Sequence, residues 1–212
     1  AKRLVYGAVA IDSIAGPSEI LVLADRTANP VHIAADLLSQ AEHDEEAYAI
    51  FVTTDASLVP RVNAELERQL ADLPRAAIAR ASLEAHGQAL VVPDREVMAS
   101  VASTIAPEHL ALHVEDAEAM LDNIENVGAA FVGPMTPEAA GDYLAGPSHV
   151  LPTGGAVRFG SPLGVHDFVA RTSIIRYTPE ALQKEADHIV TFARLEGLEA
   201  HARAVLFRTK PS

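Results

Sequence analysis

Apolar and polar positions along the chain follow two rhythms. Short apolar runs recur at 19–25 (EILVLAD), 47–55 (AYAIFVTTD), 88–94 (QALVVPD), 109–114 (HLALHV) and 129–133 (AAFVG). Each is short, rich in Val, Leu, Ile and Phe, and reads as a strand. Between them lie stretches with apolar residues at helical spacing. NPVHIAADLLSQAEH carries Pro30 near its first turn, where a missing N–H costs little. ASLVPRVNAELERQLADL and residues 75–86 predict two further helices, the second stopped by Gly87. REVMASVASTIA is a helix ended by Pro107, and DAEAMLDNIENVG a helix with Gly128 just past its end. TPEAAGDYLAG reads as a short helix capped by Thr136 with Pro137 at its first position.

Strands that alternate with helices at this spacing predict βαβ units and an α/β fold, a mostly parallel sheet with flanking helices. Residues 146–166 (GPSHVLPTGGAVRFGSPLGVH) break the rhythm with Gly, Pro and Ser. A long irregular stretch inside a compact protein is usually functional. A strand is expected at 171–178 (RTSIIRYT). A helical tail follows, capped by Thr178, started by Pro179 and broken near Gly197. The expected organisation is a core over 1–170 and a C-terminal helical arm over 171–212.

Composition narrows the function. The net charge of −13 argues against nucleic acid, because binding a phosphate backbone needs a basic surface that releases counterions. It fits an anionic membrane surface equally badly. No apolar run approaches the roughly 18 residues of a membrane span. There is no cysteine, hence no thiolate ligand, no Cys nucleophile and no disulfide framework, which fits a cytoplasmic protein. The N-terminus AKRLVYGAVAID lacks the pattern of a secretory signal.

The remaining chemistry is carried by His, Asp, Glu and Gln. Ligands of open α/β sheets bind beyond the carboxyl ends of the strands, so polar residues are expected to gather there. Gln40 and His43, spaced i, i+3, share one face at the end of a helix. They either finish a solvated helix or face a metal ion. In APEHLAL, Glu108 and His109 form a candidate acid/base pair at a helix-to-strand junction. Neighbours in a strand point to opposite faces, so a shared role requires a bent backbone there. Asp142 precedes the irregular loop, and His149 lies inside it. Glu196 and His201 sit in the tail, in RLEGLEAH, and Ser18 in the AGPSE turn. No GxGxxG, Walker or Ser-elbow motif is present.

Taken together, GPSEILVLAD, ADLLSQAEHD, APEHLAL, AGDYLAGPSHVLPTGGAVRF, SPLGVHDFV and EGLEAH occur in one order. In this the chain closely resembles the histidinol dehydrogenases along its whole length. The resemblance implies a Rossmann-like sheet, Zn2+ and NAD, and oxidation of L-histidinol to L-histidine through the aldehyde, the last step of histidine biosynthesis. It implies zinc ligands Gln40, His43, Asp142 and His201, with Glu108 and His109 as the acid/base pair. It implies substrate contacts from Ser18, Gln40, His43, His109, Asp142, His149, Glu196 and His201. It also implies a homodimer with shared active sites, the C-terminal arm reaching into the partner.

Family chains are longer, and the part that carries their main dinucleotide contacts has no counterpart here. No NAD-binding residue is therefore assigned, and the isolated chain is expected not to turn over. Two other readings use the same residues. One is a metal-dependent hydrolase. The other is a non-catalytic zinc or imidazole-ligand binding module.

Overall fold

The structure, a computed structural model, describes residues 1–209. Five strands, β1 (Glu19–Ala24), β2 (Tyr48–Thr53), β3 (Gln88–Val91), β4 (His109–His113) and β5 (Ala129–Val132), form one parallel sheet in the order β3-β2-β1-β4-β5. The order reverses between β1 and β4, as in doubly wound nucleotide-binding folds. This is the α/β architecture that the alternating rhythm predicts.

β1 is central and buried on both faces, and its side chains divide by parity. Ile20, Val22 and Ala24 join Ala111 of β4 and Phe51 of β2 beneath α2 (Pro30–Ala41) and α3 (Leu58–Leu70). Leu21 and Leu23 join Leu110, Leu112 and Val52 beneath α5 (Arg95–Ile105) and α6 (Ala117–Leu121). α4 (Ala76–His86) packs against the end of α2 through Ala79, Leu38 and Ala41. A single helical turn, α1 (Lys2–Val5), opens the chain. α2 begins as its sequence dictates, with Asn29 accepting from Val31 N at 3.0 Å and Pro30 in the first turn.

Three elements differ from expectation. The helix expected through residue 127 stops at Leu121. Asn126 adopts a left-handed conformation (φ 61°), and Glu125 N donates to Ser103 Oγ of α5 instead of continuing the helical ladder. Thr136 does not cap α7 (Glu138–Tyr143), because its hydroxyl donates to the Val132 carbonyl at 2.9 Å. Residues 171–178 form no strand; they are exposed and join no ladder among the described residues.

The chain divides into two compact units, Ala1–Phe168 and Val169–Ser212, the last three residues lying outside those described. In the second unit, α8 (Pro179–Leu195) starts at a Thr178 cap and ends in a Schellman turn. Gly197 takes φ +75°, its N–H bonds the Arg194 carbonyl, and Leu198 N bonds the Ala193 carbonyl. α9 (Glu199–Thr209) follows and buries Ala202 against Val190 and Ala193.

At the carboxyl end of β1, Asp25 closes the sheet. It accepts from Thr27 N, Thr27 Oγ1 and Glu115 N, with Arg95 3.6 Å away. Burial pushes its carboxyl up, but these bonds and Arg95 outweigh burial and hold it below the usual range. A depressed pKa contributes stability above the unfolded value, lost as pH falls through the folded one. Asp25→Asn should therefore lower stability by about 1–3 kcal/mol at neutral pH. The gap between variant and parent in chemical denaturation should narrow as the pH is taken below about 4.

Candidate active site

α2 is a crossover helix between two parallel strands, so it runs back across the sheet. Its last turn therefore lands at the amino ends of the strands. Gln40 and His43 sit there, and the cluster built around them lies at the amino edge, not at the carboxyl ends where sequence reasoning placed it. α2 is also not a simple amphipathic helix. Asp36, Gln40 and His43, spaced i, i+4, i+7, make a polar stripe, of which Asp36 and Gln40 are buried and Gln40 is fully so.

The start of β4 supplies the second wall. α5 ends at Ala106 in a left-handed conformation (φ 54°), and the chain turns through Pro107 into Glu108. Glu108 and Glu19 then clasp each other's backbone. Glu19 N donates to Glu108 Oε2 at 3.0 Å, and Glu108 N donates to Glu19 Oε2 at 3.4 Å. Gly154 N, from the irregular segment, donates to Glu19 Oε1 at 2.9 Å. Gly128 is required nearby, since a Cβ there would lie 2.5 Å from the Glu108 carbonyl oxygen.

This bend lets Glu108, just before the strand, lie beside His109, its first residue. Glu108 Oε2 and His109 Nδ1 are 3.7 Å apart, and both residues are buried. His109 Nδ1 also lies 3.0 Å from the Glu19 carbonyl. A carbonyl only accepts, so Nδ1 carries the proton and Nε2 the lone pair. Gln40 Nε2 then donates its two protons to the Glu19 carbonyl (3.2 Å) and to Glu138 Oε1 (3.3 Å), leaving none for His109 Nδ1, which lies 3.0 Å from it and is itself a donor.

α7 forms the third wall. Gly141 packs against the ring of Phe131, where a Cβ would come within 2.7 Å of Cε1. That close approach brings Glu138 and Asp142, one turn apart, against α2. Carboxylate oxygens of Glu138 and Asp142 and a ring nitrogen of His43 all lie within 4.8 Å of one another. Sequence reasoning missed Glu138. Its signal was the i, i+4 pair of acids in PEAAGD, at the spacing that puts two carboxylates on one helix face.

The electrostatics follow from burial and crowding. Burial, then the charges of Asp142, Glu108 and Asp36, pushes Glu138 up to about 8. Burial also pushes Glu108 up to about 7, with Glu19 and Asp142 adding to it against the Glu19 N–H bond. Burial lowers His109, despite the Glu19 carbonyl and Asp142, so its Nε2 stays neutral. His109 Nε2 and Glu138 Oε2 are buried without hydrogen-bond partners in the structure. Unpartnered His109 Nε2 and Glu138 Oε2, beside acids whose charged forms burial and crowding disfavour, fit a divalent cation.

Of the other predicted residues, His149 and Asp142 line one cavity of about 310 Å³ together with His109 and Phe131. Ser18 precedes β1, and its carbonyl accepts from Tyr48 N at 2.9 Å, extending the β1–β2 ladder. Glu196 and His201 belong to the second unit, Glu196 at the end of α8 and His201 exposed on α9.

A family model for histidinol dehydrogenase matches residues 1–209. The chain belongs to the histidinol dehydrogenase family. It is 57% identical over 212 residues to the histidinol dehydrogenase of Syntrophotalea carbinolica, covering 100% of this chain and 49% of that one. Against the Bacillus cereus histidinol dehydrogenase the identity is 55% over 208 residues, covering 98% and 48%. A crystal structure of histidinol dehydrogenase from Elizabethkingia anophelis superposes with a TM-score of 0.92 at 39% identity, over 98% of this chain and 48% of that one. The chain thus spans about half the length of the histidinol dehydrogenases it matches.

Glu138 is a candidate donor by its place in the His43–Glu138–Asp142 cluster. Glu138→Gln keeps the shape of the neutral acid but removes the carboxylate a cation would draw out. It should leave thermal stability near that of the parent while weakening Co2+ or Zn2+ uptake by about ten-fold or more. Unchanged affinity in a metal titration would remove Glu138 from the donor set.

Proposed function

We propose that this chain carries the metal- and base-bearing part of an enzyme that oxidises L-histidinol to L-histidine, the last step of histidine biosynthesis, with NAD as the hydride acceptor. The observation that carries this reading is the buried, unpartnered Nε2 of His109, held as a lone pair beside the His43–Glu138–Asp142 cluster. Family membership supports the alcohol substrate and disfavours a hydrolase.

Zinc would be held by Gln40, His43 and Asp142, with His201 of the partner subunit as the fourth ligand, and when bound would supply a Lewis-acidic anchor for the substrate's amine and imidazole. His43, Glu138 and Asp142 stand close enough to share one ion, and Gln40 contacts Glu138 directly. That arrangement fixes the alcohol carbon by position. His109 Nε2 takes the hydroxyl proton as hydride leaves the carbon for NAD, giving the aldehyde. Glu108 takes a proton from the water that adds to the aldehyde, while His109 returns its proton to the carbonyl oxygen, giving the hydrate and a neutral imidazole. His109 takes the hydrate's proton in the second hydride transfer, giving the acid. Burial keeps the His109 imidazole neutral and able to accept a proton, and a carboxyl pushed up to about 7 exchanges one near neutrality.

Ser18, His149 and Glu196 are proposed to contact the substrate. The C-terminal arm is proposed to make a homodimer, with Glu196 and His201 entering the partner's site. No residue of this chain is assigned to NAD. A cytoplasmic location fits a biosynthetic reaction, and no described helix is long and apolar enough to cross a membrane.

Calorimetry of L-histidinol binding to the zinc-loaded and metal-stripped chain tests the reading. Binding is expected only with zinc, and is expected to weaken by about 100-fold or more in His43→Ala and His201→Ala. Equal binding in both metal states would overturn it. NADH release by the same sample reports whether the chain turns over unaided; none is expected, and ester or amide hydrolysis in its place would favour the hydrolase.

A further inference from the structure

The polar stripe of α2 does not end at the candidate site. One turn before Gln40, Asp36 Oδ2 lies 2.7 Å from His113 Nε2 at the far end of β4, and both residues are buried. A carboxylate only accepts, so His113 Nε2 donates. Asp36 and Gln40 are four residues apart on one helix face. His113 and His109 are four apart on one strand face, the face that Ala111 presents to α2. The two elements therefore meet in two polar rungs. One is Asp36–His113; the other is Gln40, set against His109 through the Glu19 carbonyl that both approach. His43 follows one turn beyond.

We propose that Asp36 and His113 are positioning residues for the candidate site. Their bond sets the rotation and axial position of α2 against β4, and so aims Gln40 at Glu138 and the Glu19 carbonyl. The argument is one of registry. The rest of that interface is aliphatic, with Ile33 and Leu37 over Ile20, Val22 and Ala111, and apolar packing is non-directional. A helix residue shifts the face by about 100° and the axis by about 1.5 Å, which a smooth apolar contact tolerates and a buried hydrogen bond does not. Neither residue belongs to the cluster whose donor atoms lie within 4.8 Å of one another; the Asp36 charge also reaches Glu138, and Asp36→Asn separates that charge from the hydrogen bond. The consequence for metal binding rests on the function proposed above, whereas the consequence for Gln40 and His109 does not.

The test uses the 212-residue chain and two readouts, Co2+ uptake followed by its visible absorption, and the imidazole 15N resonances of His109, which report its tautomer without any metal. Alanine at either position leaves a buried polar group unpaired and risks unfolding. The deciding variant is therefore the double substitution Asp36→Val with His113→Leu, which replaces both polar groups by apolar ones of similar size. It should fold, shift the His109 resonances and lower Co2+ affinity by about 10- to 100-fold. Asp36→Asn, which still accepts from Nε2, should restore the parent spectrum. A folded double variant with parent-like His109 resonances and Co2+ affinity within about two-fold of the parent would overturn the proposal. If the parent takes up no Co2+, the metal reading falls, and the His109 resonances alone decide the positioning role.

Discussion

The burial of Asp36 and Gln40 under the sheet is the constraint on which the candidate site depends. A buried polar side chain without a partner costs more than a hydrogen bond gains, so each such residue admits few arrangements of its surroundings. α2 carries two of them on the face that also holds Ile33 and Leu37. The apolar residues make α2 adhere to β1 and β4, and the polar ones fix how it lies. His113 accounts for Asp36. Gln40 needs the Glu19 carbonyl and Glu138, and thereby draws the start of β1 and the first turn of α7 into one place.

The two ends of the sheet have opposite characters for related reasons. At the carboxyl end, Asp25 is saturated by Thr27 and the Glu115 N–H, and its charge is balanced by Arg95. Both of its oxygens are occupied. At the amino end, Glu19 and Glu108 spend their carboxylates on each other's backbone, which holds the strand starts but leaves His109 Nε2 and one oxygen of Glu138 buried and unmatched. The candidate cluster thus gathers at the amino end, where unmatched His109 Nε2 and Glu138 Oε2 stand beside other acids, and not at the carboxyl ends that open sheets generally use.

Much of this was legible from the residues. The strands in EILVLAD and HLALHV, Pro30 in the first turn of α2 and the Thr178-Pro179 start of α8 follow from local physics and appear in the structure as expected. Helix length after Asp116 was not legible, because Asn126 and the Glu125–Ser103 bond end that helix through a tertiary contact. The segment 171–178 has strand-like composition, yet a strand is a pairing, and composition cannot supply the partner. Within the site, Gln40, His43, Glu108, His109 and Asp142 are brought together in the first unit. Glu138 was hidden because an acid in the first turn of a helix is ordinarily a solvated dipole partner. Its burial comes from Gly141 packing on Phe131, which is visible only in three dimensions.

Glu138 also changes how the cluster should be understood. Four carboxyl groups, Glu19, Glu108, Glu138 and Asp142, crowd one edge of an already acidic chain. Such a set has two ways to be stable. It can keep protons, as the raised values of Glu108 and Glu138 show for the chain without an ion. Or it can exchange protons for a cation, recovering the acids' charged forms through coordination. The first state leaves His109 Nε2 and Glu138 Oε2 unmatched, and the second would give the carboxylate a use. The residues that aim Gln40 therefore matter before any proton moves. That amide is what ties Glu138 and the Glu19 carbonyl, on which His109 also leans, into one place.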